Sequence, residues 1–259
     1  WRARYWKYTT DHKVVGIQYL IATMLLLGFA GLLAMLIRTE LGMTWAELFS
    51  PSFYNSMIGT HGIVMIIGMI VVTSGPLGNF IVPMMIGARD MAYPRLNALS
   101  LWLLVAAIPM LISSMFMGGI QDGWSVYQPL ASQAPVGMLG YQLTIIVFAI
   151  STAIASVNLM TTILTMRAKG MTWSRTPIFV YGIFAASLMG LYAFPFFQYS
   201  QILGLSDRVF NTSFFNPLNG GSVWLYENLF WLLGHPEVYV IIIPSAAVAL
   251  ELMPVFLRK

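Results

Sequence analysis

Three side chains able to do chemistry crowd one short stretch, GHPEVYVIIIP at residues 234–244: His235, Glu237 and Tyr239. The chain around them is nearly pure hydrocarbon from Leu229 to Leu250. Residues four apart share a helix face, so His235 and Tyr239 form a ligand-and-phenol pair and Glu237 points elsewhere. Pro236 removes a helical hydrogen bond beside them. An ionisable group at membrane depth is costly, and its presence there points to an ion, proton or ligand site. A desolvated carboxylic acid favours its protonated form, so Glu237 is suited to passing protons rather than holding a charge. A purely structural Glu237 is the plain alternative, although nothing near it in sequence could neutralise it. His61 opens a second apolar run, HGIVMIIGMIVV. A neutral imidazole suits iron and copper. His61 and His235 therefore read either as ligands or relays, or as histidines hydrogen-bonded to a neighbouring helix. His12, in the polar segment before the first apolar run, reads as a surface or interface residue.

A second set of residues could carry protons. Asp90 lies in the loop GARDMAYPRLN, with Asn97 and Ser100 just beyond it. Tyr19, Asn79, Ser151, Thr152 and Asn158 are polar positions inside otherwise apolar runs. Singly, such residues serve as glue between membrane helices. Together, with Asp90 at one end and Glu237 at the other, they suggest a path from one surface toward the middle of the membrane.

The elements that must position these groups are membrane helices. The chain is 58% hydrophobic and 8% charged, with mean hydropathy +0.77 over 259 residues. A soluble domain carries about 25% charged residues, and a spanning helix needs about 20 apolar residues. Six stretches qualify, at 14–37, 54–86, 96–118, 138–166, 176–204 and 223–255, separated by breakers such as PSFYN and NTSFFNPLNGG. They make a single transmembrane unit. There is no cysteine, which excludes disulfides and thiolate metal sites. The pI near 9.4 does not indicate nucleic acid, because the basic residues sit in loops. Eleven of the thirteen, Arg2, Arg4, Lys7, Lys13, Arg89, Arg95, Arg167, Lys169, Arg175, Arg258 and Lys259, fall on one side of a six-span topology. The positive-inside rule puts that side, and both termini, in the cytoplasm or matrix. The methionines and phenylalanines read as lipid-facing or interhelical packing. Trp1, Trp6, Trp45, Trp124, Trp173 and Trp224 fall near span ends, as interfacial belts do. Glu251 reads as an exposed residue at the inner interface. The N-terminal segment is too polar, and the first apolar run too long, for a signal peptide. A chain that starts without Met and stops just after an apolar run is expected to be a fragment or half of a split protein.

At GHPEVY the sequence resembles the N-terminal half of subunit I of the haem–copper terminal oxidases, the cytochrome c oxidase type. DHKVVGIQYL, LIRTELG, THGIVMI, GNFIVPMMIGARDMAYPRLN, GWSVYQPL, VNLMTTILTMR, NTSFFNP and LFWLLGHPEVYVIIIP carry the likeness in family order. It implies an all-α integral membrane fold of six helices, half of the family's twelve-helix core. It implies reduction of dioxygen to water coupled to proton pumping, with cytochrome c as electron donor and quinol as the alternative. His61 would be an axial ligand of a low-spin, a-type haem. His235 would bind the copper of a binuclear centre shared with a high-spin haem, and would be covalently linked to Tyr239. Tyr239 would give an electron and a proton when the dioxygen bond breaks. Glu237 would be the branching proton donor, Asp90 the mouth of its channel, and Tyr19, Asn79, Asn97, Ser100, Ser151, Thr152 and Asn158 the lining. Arg38 would contact a haem substituent, Trp124 would lie beside haem propionates, and Glu40 would stand near an outer cation site. The partners implied are the rest of subunit I, subunits II and III, and a bacterial or archaeal plasma membrane or the mitochondrial inner membrane.

The sequence also departs from the family. The chain holds only three histidines, and none follows His235, so the other metal ligands must come from elsewhere. Arg89 stands where the family often has proline, TSGPLGN replaces its glycine pair, and SAAVALELMPVFLRK diverges. Three competing readings remain: a nitric oxide reductase, which the Glu237–Tyr239 pair argues against, a non-catalytic membrane subunit or metal-free proton conduit, and a plain helix bundle.

Overall fold

The computed structural model describes residues 5–45 and 47–258; Trp1, Arg2, Arg4 and Lys259 lie outside them. Among the described residues the chain is all helix and loop, with six helical stretches long and apolar enough to cross a membrane. These are α1 (His12–Gly42), a second span from Pro51 to Met85, α4 (Pro94–Phe116), α6 (Gly137–Thr165), α7 (Ile178–Val209) and a sixth span from Val223 to Leu257. A short α5 (Leu130–Gln133) lies in the loop before α6. The protein is an all-α integral membrane protein.

Side-chain caps set the helix starts. Asp11 Oδ1 accepts from the amides of Lys13 and Val14 at 2.9 and 3.4 Å, satisfying donors that α1 cannot satisfy itself. Ser50 caps the second span with Pro51 as its first residue, where a missing N–H costs nothing. α7 has no cap of its own. Its Phe179 amide donates to Glu251 Oε2 at 3.0 Å, reaching across from the sixth span. Glu251 is therefore a capping residue, not the exposed interface residue expected, and sequence separation hid this. α7 also runs to Val209, past the expected 204, because its polar last turn is anchored. The Arg208 guanidinium donates to the carbonyls of Ala134 and Pro135, and Asp207 accepts from the amides of Phe214 and Phe215.

Two spans are broken, each at proline. In the second, α2 (Pro51–Val72) passes into a π-helical turn at Thr73–Gly78, then α3 (Asn79–Met85). Pro76 cannot donate. Around it polar side chains bond to carbonyls of the turn: Ser74 Oγ donates to that of Ile70 at 2.9 Å, and Asn79 Nδ2 donates at 2.7 Å to that of Gly75, which also accepts the Asn79 backbone N–H. Such bulges are rare inside helices and concentrate at functional positions. In the sixth span, α8 (Val223–Gly234) ends at His235 and α9 (Pro236–Leu257) restarts with Pro236.

The spans pack α1 on α2, α4 on α6, α6 on α7 and α7 on α9. α7 and α9 meet closely at Gly182, where a Cβ would lie 2.5 Å from that of Ala247. Interdigitated aromatics fill the centre, with Phe148 and Phe194 edge to face at 5.7 Å. The sixth span is the least enclosed, and its Trp231, Tyr239 and Ile242 stand exposed.

Candidate active site

The polar residues inside the spans do not scatter. Tyr19 of α1 and Ser100 of α4 are fully enclosed and share a hydrogen bond of 2.8 Å. Ser151 of α6 donates to the Ser100 carbonyl at 2.6 Å. Tyr19, Ser151, Thr152 and Asn79 line one cavity of about 40 Å³, with Ser74, Ser156 and Ser187 completing its polar wall. At roughly 10–15 Å³ per water, it holds about three. Asn79 Oδ1 and Asn97 Nδ2 are buried without partners among the described residues, one an acceptor and one a donor. Val240 of α9 closes the far wall. Glu237, three residues earlier on the same face, is 5% exposed.

Toward the loop side, His12 Nδ1 lies 2.8 Å from the Asn79 carbonyl, tying the start of α1 to α3. His12 is 4% exposed, so it is a buried tether between helices. Asp90 borders an open cleft with Thr9–Lys13 and Arg89. Its Oδ1 accepts from the next amide, Met91, at 2.7 Å. Asn158 is placed differently. Its Oδ1 accepts from Tyr93 N at 2.9 Å and its Nδ2 donates to Tyr93 O at 3.2 Å, so its side chain clamps the loop carrying Asp90. Thr162, one turn on, accepts from Ala92 N at 2.9 Å. Thr152 Oγ1 bonds back to Phe148 and Ala149 within its own helix.

The histidines occupy two separate sites. His61 Nδ1 sits 2.9 Å from the Ala30 carbonyl of α1. The tautomer that donates this bond leaves the Nε2 lone pair free, as in metal-ligating histidines, where such a bond fixes the ring. Gly62, the next residue, admits Trp124, whose Cβ would lie 3.0 Å from a glycine Cβ. Trp124 packs on Phe230 at 5.3 Å, and its carbonyl accepts from Tyr141 at 3.2 Å. Arg38 is exposed near the far end of α1. At the joint of the sixth span, the His235 and Tyr239 rings lie 5.0 Å apart, T-shaped. Both face out of the described bundle while Glu237 faces in. The helical spacing produces this division. Among the described residues no three of His, Asp and Glu gather into a metal-holding group.

Several functional candidates escaped the sequence. Ser156 lies four residues after Thr152, on the same helix face, and that spacing could have revealed it. Ser74 and Ser187 had no such signal. Asp122, in the loop between α4 and α6, has both carboxylate oxygens buried without partners among the described residues. Burial pushes its carboxyl up from 3.8 to about 6, against the lowering effect of nearby backbone amides.

These features define a polytopic membrane protein with a water-sized, polar-walled cavity inside and a histidine–tyrosine pair on an open face. The chain belongs to the family described as Cytochrome C and Quinol oxidase polypeptide I, whose model matches residues 14–259. It is 40% identical over 257 residues to cytochrome c oxidase subunit 1 of Thermostichus vulcanus, covering 98% of this chain and 47% of that one. It is 40% identical over 258 residues to cytochrome c oxidase subunit 1 of Bacillus subtilis, covering 98% of this chain and 42% of that one. It is 36% identical over 260 residues to heme-copper oxidase subunit I+III of Aeropyrum pernix, covering 98% of this chain and 32% of that one. The chain thus spans about half the length, or less, of the relatives it matches.

Proposed function

We propose that this chain forms the N-terminal part of the catalytic subunit of a haem–copper oxygen reductase that reduces dioxygen to water and moves protons across the membrane, with cytochrome c as donor. The observation that carries the reading is the joint at residues 235–239, which turns a histidine and a phenol outward and a carboxylic acid inward within one helical turn.

The residues present fit the groups the reading requires. His61, ring fixed through Nδ1 and Nε2 free, would hold the iron of a low-spin, a-type haem, with Trp124 and Arg38 on its periphery. His235 would hold copper. The remaining ligands would come from the part of subunit I that this chain lacks, because three histidines cannot supply them. Bound haem and copper would supply electron transfer and the binding of dioxygen.

The chain's own residues handle protons. Asp90 collects them in the cleft beside Arg89. Water in the cavity below Tyr19, Ser100 and Ser151 carries them inward. Glu237 holds one in an apolar wall, where a charged carboxylate is disfavoured. Tyr239 presents its ring to that of His235, the residue that would hold copper.

The test uses the full-length protein. A reduced-minus-oxidised optical spectrum, with and without carbon monoxide, and metal analysis should show two haems, one binding carbon monoxide, and copper. His61→Ala should erase the low-spin signal alone. A full-length protein without haem or copper would overturn the reading. Oxygen consumption driven by quinol but not by cytochrome c would reassign the donor.

A further inference from the structure

An apolar groove runs between α1 and α4, separate from the polar cavity. Gln18, Leu25 and Phe29 line one wall, and Leu101, Trp102 and Ile112 the other. It holds about 280 Å³ and is almost wholly hydrocarbon. α1 and α4 are the first and third spans and run the same way through the membrane, and the Tyr19–Ser100 hydrogen bond sets Gln18 near the height of Leu101. Eleven residues at 1.5 Å each make the groove about 17 Å long. That is close to one leaflet, half of a hydrocarbon core about 30 Å thick.

The end nearest the N-terminus differs from the rest. Tyr5 and Trp6 border it, and Trp6 is exposed. Gln18 is 7% exposed, and its Nε2 donates to the Tyr5 and Lys7 carbonyls at 3.2 and 2.8 Å, which fixes the orientation of its amide. Its Oε1 is left buried, with no partner among the described residues. A buried acceptor without a donor is costly, and the hydrocarbon walls offer it none. Lys7, held beside it through its backbone, is exposed and cationic.

We propose that this groove binds one acyl chain of an anionic, glycerol-headed phospholipid, its headgroup hydroxyl donating to Gln18 Oε1 and its phosphate facing Lys7. The length argues for a lipid tail: a partner's spanning helix would continue through both leaflets. The aromatic and basic residues gather only at the end where a headgroup would lie, as interfacial anchors do. This inference is independent of the oxidase reading.

The test is native mass spectrometry of the full-length protein, extracted in mild detergent, with its retained lipids identified. Wild type should carry one more phosphatidylglycerol than Ala22→Phe, which fills the groove. Leu20→Phe, on the same helix but away from the groove, should keep it. Lys7→Gln alters no packing; it should lower retention of phosphatidylglycerol relative to phosphatidylethanolamine about fivefold, the worth of one basic residue at an anionic surface. Equal lipid content in wild type and Ala22→Phe overturns the proposal. So does the loss of a quinol, rather than a phospholipid, from Ala22→Phe, or an unchanged headgroup preference in Lys7→Gln.

Discussion

Asn158→Leu separates two roles that sequence alone left joined, path lining and helix glue. Leucine keeps the side chain's bulk and removes both bonds to Tyr93, of 2.9 and 3.2 Å. Each is worth about 0.5–1.5 kcal/mol net, so the clamp contributes about 1–3 kcal/mol to holding the loop closed. The loop lies at the membrane edge, and its freed amides can reach water. The cost should therefore appear as local opening rather than global unfolding. At about 1.4 kcal/mol per tenfold, hydrogen exchange of the residue 91–93 amides should quicken roughly 5- to 150-fold. Thr162→Val removes one bond to the loop backbone, of 2.9 Å to Ala92 N, together with the hydroxyl's weak contact to Met91 Sδ and its bond within α6 to the Asn158 carbonyl, and should quicken it only about 2- to 12-fold. Exchange mass spectrometry on the full-length protein in nanodiscs reads both. The reasoning fails if Asn158→Leu changes exchange less than twofold, or if Thr162→Val matches it. Proton uptake that collapses while exchange stays unchanged would mean that Asn158 lines the path and does not hold its mouth.

Further expectations follow from the same structure. Glu237→Gln should slow proton-coupled turnover at least tenfold with haem content unchanged; flow-flash kinetics with normal proton release would refute its role. Peptide mass spectrometry should find a covalent His235–Tyr239 link in the wild-type protein and none in Tyr239→Phe; an unlinked wild type, or normal oxygen turnover in the variant, would refute the tyrosine's part. Glu251→Ala should lower stability by about 1 kcal/mol through the lost cap on Phe179, and an unchanged thermal midpoint would show that water replaces the carboxylate. Asp122 gives a pH signature. Its folded carboxyl, pushed up to about 6, binds a proton more readily than the unfolded one at 3.8. Stability should therefore fall as pH rises through that window. Asp122→Asn should flatten this part of the profile, and an identical slope in the variant would assign it to another group.

The fold was legible because its signal is redundant. Six apolar runs of spanning length admit few alternatives, since an unpaired backbone cannot cross hydrocarbon. The chemistry at the sixth span was legible for a local reason: the four-residue spacing of His235 and Tyr239 fixes a shared face whatever surrounds it. What stayed hidden depends on which residues of different helices meet. Glu251 caps α7 from 72 residues away, and no composition of α9 announces it. The π turn at Thr73–Gly78 replaces no apolar residue, so the second span reads as unbroken although its register shifts there. Just past the turn, Asn79 Nδ2 donates to the Gly75 carbonyl, its Oδ1 has no donor among the described residues, and its own carbonyl lies 2.8 Å from His12 Nδ1. The stretch TSGPLGN, which in sequence looked like mere divergence from the family, thus forms the turn that carries Asn79 into the wall of the polar cavity.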